Sequence, residues 1–156
     1  MARHKAKEID FGALANFRYE IRRFLNFSEE AARAAGTEPQ QHQALLAIKG
    51  MPPATEITVG VLAERLHIRH HTGVELSRRL ERKGWILRSR NADDARRVDL
   101  RLTRRGERLL ERLSISHRDE LRTAGPRLIV ALQRVLSHTN TKGRRQRKQS
   151  ANNSHR

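Results

Sequence analysis

The stretch that decides the fold covers residues 80–106 and reads LERKGWILRSRNADDARRVDLRLTRRG. Gly84 is expected to end a helix, because glycine often closes helices in the left-handed conformation. Two segments follow it, 85–90 and 98–102, and in the second one apolar and charged residues alternate as in a half-buried strand. The connector 91–97 is polar and rich in turn-forming residues. The stretch therefore predicts a helix followed by a β-hairpin.

Two helices joined by a tight turn are predicted before the hairpin. Thr58 can cap the first helix, whose apolar residues continue to Leu66. After a turn at 67–69, the second helix runs from about His70 to Lys83, with apolar residues at helical spacing. A helix-turn-helix followed by a two-stranded wing suits duplex DNA. Its second helix fits the major groove, and the wing reaches the neighbouring backbone or minor groove.

Further helices are predicted on the N-terminal side. Apolar residues at spacings of three and four define one stripe from about Asp10 to Ala35, with Asp10 as the N-cap and Gly36 as the closing residue. The segment 37–40, TEPQ, has the pattern of a capping box with proline in the first turn. It opens a second helix that stops at Lys49.

The C-terminal side predicts two more helices. Thr103 can cap the first one, and Gly125-Pro126 are expected to break it before a final helix that ends near Leu136. The outer helices carry apolar stripes that a chain of 156 residues has no second layer to cover. Because an uncovered apolar stripe indicates pairing with another chain, a homodimer is expected.

The predicted fold is mainly α with a small β-wing (α+β), a winged helix-turn-helix with N- and C-terminal dimerisation helices. Five parts are expected along the chain: a basic N-terminal arm at 1–9, helices of dimerisation and support at 10–50, the winged helix-turn-helix DNA-binding domain at 55–103, C-terminal dimerisation helices at 104–138, and a disordered basic tail at 139–156.

The net charge of +16 and the sequence pI near 11.6 call for an acidic partner: nucleic acid, an anionic membrane surface or an acidic protein. Thirteen Lys and Arg residues against six acidic ones lie between Ile57 and Gly106, which favours DNA. No apolar run is long enough for a signal peptide or a bilayer span, so we expect a cytoplasmic protein without a membrane partner. The absence of cysteine excludes disulfides, thiolate zinc sites and cysteine nucleophiles.

Four motifs resemble, in order and spacing, those of MarR-type transcriptional regulators. They are Leu62-Ala63-Glu64-Arg65-Leu66, Leu80-Glu81-Arg82-Lys83-Gly84-Trp85-Ile86, Asp94-Ala95-Arg96 and Leu102-Thr103-Arg104-Arg105-Gly106. The resemblance covers roughly residues 10–138. It implies a triangular homodimer held by its terminal helices, with two winged domains that bind a palindromic operator and often repress transcription. In many members a small phenolic or other anionic ligand enters the cleft between the two regions and releases the DNA.

Candidate DNA contacts lie on the wing and on the recognition helix. Arg96 matches the arginine of the family's Asp-x-Arg wing motif, which implies insertion into the minor groove; Asp94 would orient it, unless the two only form a surface ion pair. Arg97 is expected to contact a phosphate. The candidates on the recognition helix are Arg69, His70, His71, Thr72, Glu75, Arg78 and Arg79. The alternatives for them are packing at the helix terminus and a solvated face.

The recognition helix departs from the family at its start. Members commonly have Ser or Thr there as the N-cap, whereas this chain has 69–72, RHHT. Gly73 in the first turns costs roughly 1 kcal/mol of helix propensity. It either allows close approach to DNA or only packs tightly.

The aromatic side chains are expected inside the protein. Trp85 is expected in the core rather than stacked on a base. Phe17 and Phe24 are expected in the dimer core or, alternatively, in a ligand cleft.

Catalysis finds little support in the sequence. A Gly-rich phosphate loop and a paired acid-base helix motif are both missing, so no enzyme activity and no cofactor are expected. His67, His70 and His71 have helix-compatible spacing, but DNA contact explains them better than a metal site. A small aromatic or anionic effector remains open. The alternatives to a regulator are an architectural or nonspecific DNA-binding protein without effector control, and an interaction module that has lost DNA binding.

Overall fold

The computed structural model describes residues 9–52 and 55–137. Its elements are α1 (Phe11–Ala34), α2 (Pro39–Lys49), α3 (Val59–Arg65), α4 (His70–Arg82), β1 (Ile86–Arg90), β2 (Val98–Leu102) and α5 (Arg104–Ser137). The predicted mainly helical fold with a two-stranded wing is confirmed. The basic tail, 139–156, and residues 1–8 of the basic arm lie outside the described residues.

The described chain divides into two compact units. The terminal unit contains residues 9–26 and 119–137, and the winged unit contains residues 27–118 without 53–54. Helices α1 and α5 each contribute residues to both units.

Local capping explains where most helices begin. The Asp10 carboxylate accepts a hydrogen bond from the Ala13 N–H at 2.8 Å, so Asp10 is the N-cap of α1. The Thr58 hydroxyl accepts from the Val61 N–H at 3.3 Å at the start of α3. The Thr103 hydroxyl accepts from the Gly106 N–H at 3.1 Å at the start of α5. These three starts agree with the sequence prediction.

The capping box of α2 lies one residue later than predicted. Glu38, not Thr37, is the N-cap, and Gln41, not Gln40, returns its Oε1 to the Glu38 N–H at 3.2 Å. The reason is Pro39, which occupies the first helical position and forces the residue before it into extended backbone.

The predicted break at Gly125-Pro126 is wrong, because α5 is one helix of 34 residues. Proline removes one backbone donor but its fixed φ is compatible with a helix. Pro126 is exposed, so its ring does not disturb a packed face. Ala124 and Ala131, on either side of it, are buried in the terminal unit and hold the helix across the proline.

The winged unit has its own apolar core. It is formed by side chains from α2 to α5 that are nearly inaccessible to solvent: Leu45, Ile48, Leu62, Leu76, Leu80, Trp85, Ile86, Leu100, Leu109, Leu110 and Leu113. The hairpin joins this core through the antiparallel pairs Ile86↔Leu102 and Arg88↔Leu100. The first strand thus starts at Ile86, one residue after the predicted start, and Trp85 is buried as expected.

Two glycines allow the elements of the winged unit to approach closely. A Cβ on Gly73 would lie 3.1 Å from the Ala63 Cβ, so Gly73 serves the contact between α3 and α4. Of the two roles considered for it, packing is the one that the structure supports. A Cβ on Gly106 would lie 2.1 Å from the Trp85 carbonyl oxygen, which explains a glycine at the start of α5.

Candidate DNA-binding site

The turn before α4 directs the first turn of that helix to solvent. His67 has a φ of +51°, in the left-handed region, and Arg69 is the N-cap in extended conformation without a capping side-chain hydrogen bond. Arg69, His70 and His71 are exposed, and Thr72 is half-buried. The first N–H groups of α4 lack intrahelical acceptors, as at every helix start, and such groups attract anions.

The outward face of α4 carries alternating charges. Leu76, Ser77 and Leu80 are fully buried, which fixes the opposite side of the helix toward solvent. On that side an Arg78 Nη1 lies 2.7 Å from Glu75 Oε1, and both side chains are more than half exposed. Such an exposed ion pair contributes about 0–1 kcal/mol to stability. Arg78 can therefore easily leave Glu75 for another partner.

Arg79 is exposed as well and lines a pocket together with residues 38–41 at the start of α2. Glu75, Arg78 and Arg79 therefore lie together on the solvent side of α4.

Lys83 is occupied within the protein. Its Nζ lies 4.6 Å from the centroid of the Trp85 ring and 3.2 Å from Gln41 Oε1. The cation–π contact and the hydrogen bond tie the end of α4 to the first turn of α2. Lys83 thus helps to hold the orientation of the recognition helix.

The wing loop, residues 91–97, carries the two predicted wing arginines. Asp94 Oδ1 accepts a hydrogen bond from the Arg96 backbone N–H at 2.9 Å. Asp94 therefore holds the backbone of Arg96, and the Arg96 guanidinium forms no ion pair with a described residue. Arg97 Nη2 lies 3.2 Å from Glu56 Oε2, with both side chains about half exposed. Of the two arginines, Arg96 alone presents a guanidinium without an acidic partner among residues 9–52 and 55–137.

Sequence reasoning missed two residues that organise the wing. Asn91 is 7% exposed and bonds to both carboxylate oxygens of Asp99. The signal for it was an Asn at the start of the polar connector, where its side chain can form a local turn. Glu56, the partner of Arg97, carried no signal because the two residues are far apart in sequence.

A pair of histidines lies elsewhere in the winged unit, with His42 buried and His117 half-buried. The rings of His42 and His117 are 4.6 Å apart, and His117 contacts the Ser28 hydroxyl through Nε2 at 2.7 Å and the Leu113 carbonyl through Nδ1. Because a carbonyl only accepts, Nδ1 of His117 is the donor. Burial, and to a smaller extent His117, lowers the pKa of His42 to about 4. His42 is therefore neutral at physiological pH.

The metal alternative gains no support from the described part of the chain. Within residues 9–52 and 55–137, His, Cys, Asp and Glu form no group of three or more that could hold a metal ion. The same residues contain no helix with the length and apolar character needed to cross a membrane.

Helices α3 and α4 form a helix-turn-helix, and strands β1 and β2 form a wing after it. Together they define a winged helix-turn-helix protein. Residues 35–97 match the model of the MarR family, which confirms the resemblance seen in the sequence. No curated protein matches the chain significantly.

The similar solved structures include several MarR-family transcription regulators. A mutant form of MarR from E. coli is 21% identical, with a TM-score of 0.62, and 85% of this chain and 97% of that chain are covered. The MepR–DNA complex of S. aureus is 25% identical, with a TM-score of 0.57, and 80% and 98% are covered. A MarR-like regulator from Bacillus cereus is 16% identical, with a TM-score of 0.61, and 74% and 81% are covered. These likenesses show that the chain shares the fold of these proteins.

Proposed function

We propose that this protein is a transcriptional repressor of the MarR type that binds a pseudo-palindromic DNA operator as a homodimer. The observation that carries the proposal is the wing, where Arg96 extends without an acidic partner among the described residues from a loop fixed by Asp94. An isolated cation on a rigid hairpin suits the strong negative potential of a narrow minor groove. That S. aureus MepR was crystallised with DNA supports this choice of partner.

Helix α4 would enter the major groove beside the wing. Its uncapped first turn offers backbone N–H groups to a phosphate, and the exposed Arg69, His70 and His71 surround that turn. Arg78 would exchange Glu75 for a base or a phosphate, because a surface ion pair is weak. Arg97, which is held by Glu56, would contact the backbone only after that pair opens.

The terminal unit would supply the dimer. Its exposed large apolar side chains include Phe11, Leu14, Tyr19, Leu121, Ile129, Val130, Leu132 and Leu136. This stretch of apolar surface is costly for a monomer and suits a second copy of the same chain. Two copies would present two α4 helices about 34–36 Å apart, one helical turn of DNA. The operator is then expected to be a pseudo-palindrome.

The experiment that tests the proposal is a selection of bound duplexes from a random pool, followed by affinity measurements at physiological salt. The recovered sequence should contain an inverted repeat and bind roughly 10³-fold or more tightly than random duplex. Arg96→Ala should weaken binding to it, whereas Arg112→Ala, which removes the same charge from an exposed position on α5, should not. Equal affinity for selected and random duplexes, with a steep salt dependence, would instead establish the architectural DNA-binding protein.

We further propose that a small aromatic or anionic effector releases the protein from DNA. The winged unit contains a groove of about 400 Å³ lined by Lys49, Glu107, Leu110, Glu111, Ser114, Ile115 and Arg118. At its rim Lys49 Nζ lies 2.6 Å from Glu107 Oε1, and this hydrogen bond raises the pKa of Lys49 and lowers that of Glu107. An effector would act by favouring a dimer whose helix spacing misfits DNA. Operator affinity measured with a panel of aromatic acids tests this; no change with any of them would indicate a constitutive regulator.

A further inference from the structure

A buried asparagine stands at the root of the wing loop. Asn91 is 7% exposed, although the residues after it, up to Arg97, are all exposed. Its Nδ2 donates to both carboxylate oxygens of Asp99, each at 3.1 Å. Its Oδ1 accepts from the backbone N–H groups of Asp93 and Asp94, each at 3.0 Å. The side chain therefore uses its donor side toward the strand and its acceptor side toward the loop.

The hydrogen bonds of the loop lead from Asn91 to Arg96. The Asn91 N–H donates to the Arg97 carbonyl at 3.0 Å, and the Arg97 N–H donates to the Asp94 carbonyl at 2.9 Å. Asp94, whose N–H is held by Asn91, in turn holds the N–H of Arg96. Arg96 thus lies between Asp94 and Arg97. The Asn91 side chain holds Asp94 directly, and it holds Arg97 indirectly through Asp94.

Asp99 connects this loop to the helix-turn-helix. It lies in β2, forms an antiparallel bridge with Thr58, and is followed by Leu100, whose N–H donates to the Ile57 carbonyl at 2.7 Å. Thr58 is the N-cap of α3. The Asn91–Asp99 contact therefore connects the wing loop to strand β2. That strand is in turn hydrogen-bonded to the segment just before α3, the first helix of the helix-turn-helix.

We propose that Asn91 is a positioning residue of the wing, which fixes the direction of Arg96 toward DNA through the Asp99 contact. The proposal rests on the proposed function. Asparagine suits this place because it offers two donors to a carboxylate and an acceptor to two N–H groups at once. Aspartate would place two carboxylates face to face, and alanine would leave the Asp93 and Asp94 N–H groups and the half-buried Asp99 without their partner.

A double-mutant cycle on the selected operator tests the proposal. Asn91→Ala and Arg96→Ala should each weaken binding roughly tenfold, the cost of one specific contact. Asn91→Ala should have little further effect in the Arg96→Ala background, because the residue acts through Arg96. Both variants should also lose any preference for A-tract flanks, since that preference depends on an arginine in the minor groove.

A charge-neutral exchange serves as the rescue. Asn91→Asp alone should weaken operator binding, and Asn91→Asp with Asp99→Asn should recover most of it, because the donor then lies on residue 99 and the acceptors on residue 91. Thermal unfolding of each variant shows that the winged unit remains folded. If Asn91→Ala does not fold, the recovery of operator binding by Asn91→Asp with Asp99→Asn tests the proposal instead.

The outcomes separate the two proposals. Full affinity of Arg96→Ala would overturn the wing contact of the proposed function itself. Loss with Arg96→Ala but none with Asn91→Ala would overturn only the role of Asn91. Equal losses from Asn91→Ala in both backgrounds, or an exchange that fails to recover affinity in a folded protein, would also overturn it.

Discussion

The two units of the molecule bury different kinds of side chain. In the winged unit the buried side chains are large: Leu45, Leu62, Leu76 and Leu80 are essentially inaccessible. In the terminal unit the buried apolar residues are the alanines Ala13, Ala124 and Ala131, and the large apolar side chains are half-buried or exposed. The winged unit therefore completes its own core, whereas the terminal unit lacks the surface that would cover its large side chains. This difference supports the proposal that the winged unit binds DNA and the terminal unit forms the dimer.

The largest effect should come from a charge on the uncovered face. Ile129 is 57% exposed in the terminal unit. Ile129→Glu should prevent pairing, because burying a carboxylate in an apolar interface costs several kcal/mol. Loss of the second half-site contact should lower operator affinity roughly 10²–10⁴-fold. Sedimentation and operator titration measure both changes.

Gln43→Glu, at an exposed position on α2 of the winged unit, adds the same charge outside this face and is the matched control. A dimer that persists in Ile129→Glu would show that this face does not pair.

Removing a core leucine should instead destabilise the winged unit alone. Leu80 is fully buried, so Leu80→Ala should lower the free energy of unfolding by about 2–5 kcal/mol. Leu87→Ala, on the wing where Leu87 is 63% exposed, should change it by less than about 0.5 kcal/mol. Denaturant unfolding distinguishes the two; similar losses would mean that the core described for the winged unit is not the stabilising one.

The buried His42 makes the winged unit sensitive to acid. Its pKa in the folded protein is about 4, below the ordinary value of 6.5, so the unfolded chain binds the proton more readily between these values. Stability from this group is fully present above pH 6.5 and is lost as the pH falls toward 4, by up to about 3 kcal/mol.

Denaturant unfolding at pH 7, 6, 5 and 4 measures this loss. His42→Phe should remove that part of the pH dependence, and His71→Gln, at an exposed position, should retain it. An unchanged slope in His42→Phe would contradict the assignment.

The smallest effects compare one substitution in the two units. Gly73→Ala places a methyl group 3.1 Å from the Ala63 Cβ, and such overpacking should cost about 1–3 kcal/mol in the winged unit. Gly125→Ala meets no atom within 4 Å and should stabilise the terminal unit by roughly 0.5–1 kcal/mol through helix propensity. Unfolding of the two variants should shift in opposite directions, and shifts of the same sign would refute the packing role of Gly73.

The features that the sequence predicted correctly are local. Asp10, Thr58 and Thr103 cap helices, and Gly36 and Gly84 have the positive φ expected after a helix end. Each of these caps and glycine turns depends on a residue and its neighbours within one turn. The local sequence pattern is therefore sufficient to predict it. The hairpin was predictable for the same reason, because its alternation has one buried side.

The features that sequence reasoning missed depend on distant contacts. Pro126 does not end α5, because Ala124 and Ala131 are buried on either side of it. The pair of Glu56 with Arg97 and that of Asn91 with Asp99 form only once the wing is folded against the segment before α3. No spacing rule identifies such pairs.

One measurement tests directly whether the winged unit binds a half-site of DNA and the terminal unit joins two such units. The selected operator is compared with the same duplex in which one half-site is scrambled, by titration at physiological salt and with the protein kept dimeric. We expect two chains to bind the intact operator and the affinity for the scrambled duplex to be at least about 100-fold lower. Equal affinity for both duplexes would contradict this division between the two units.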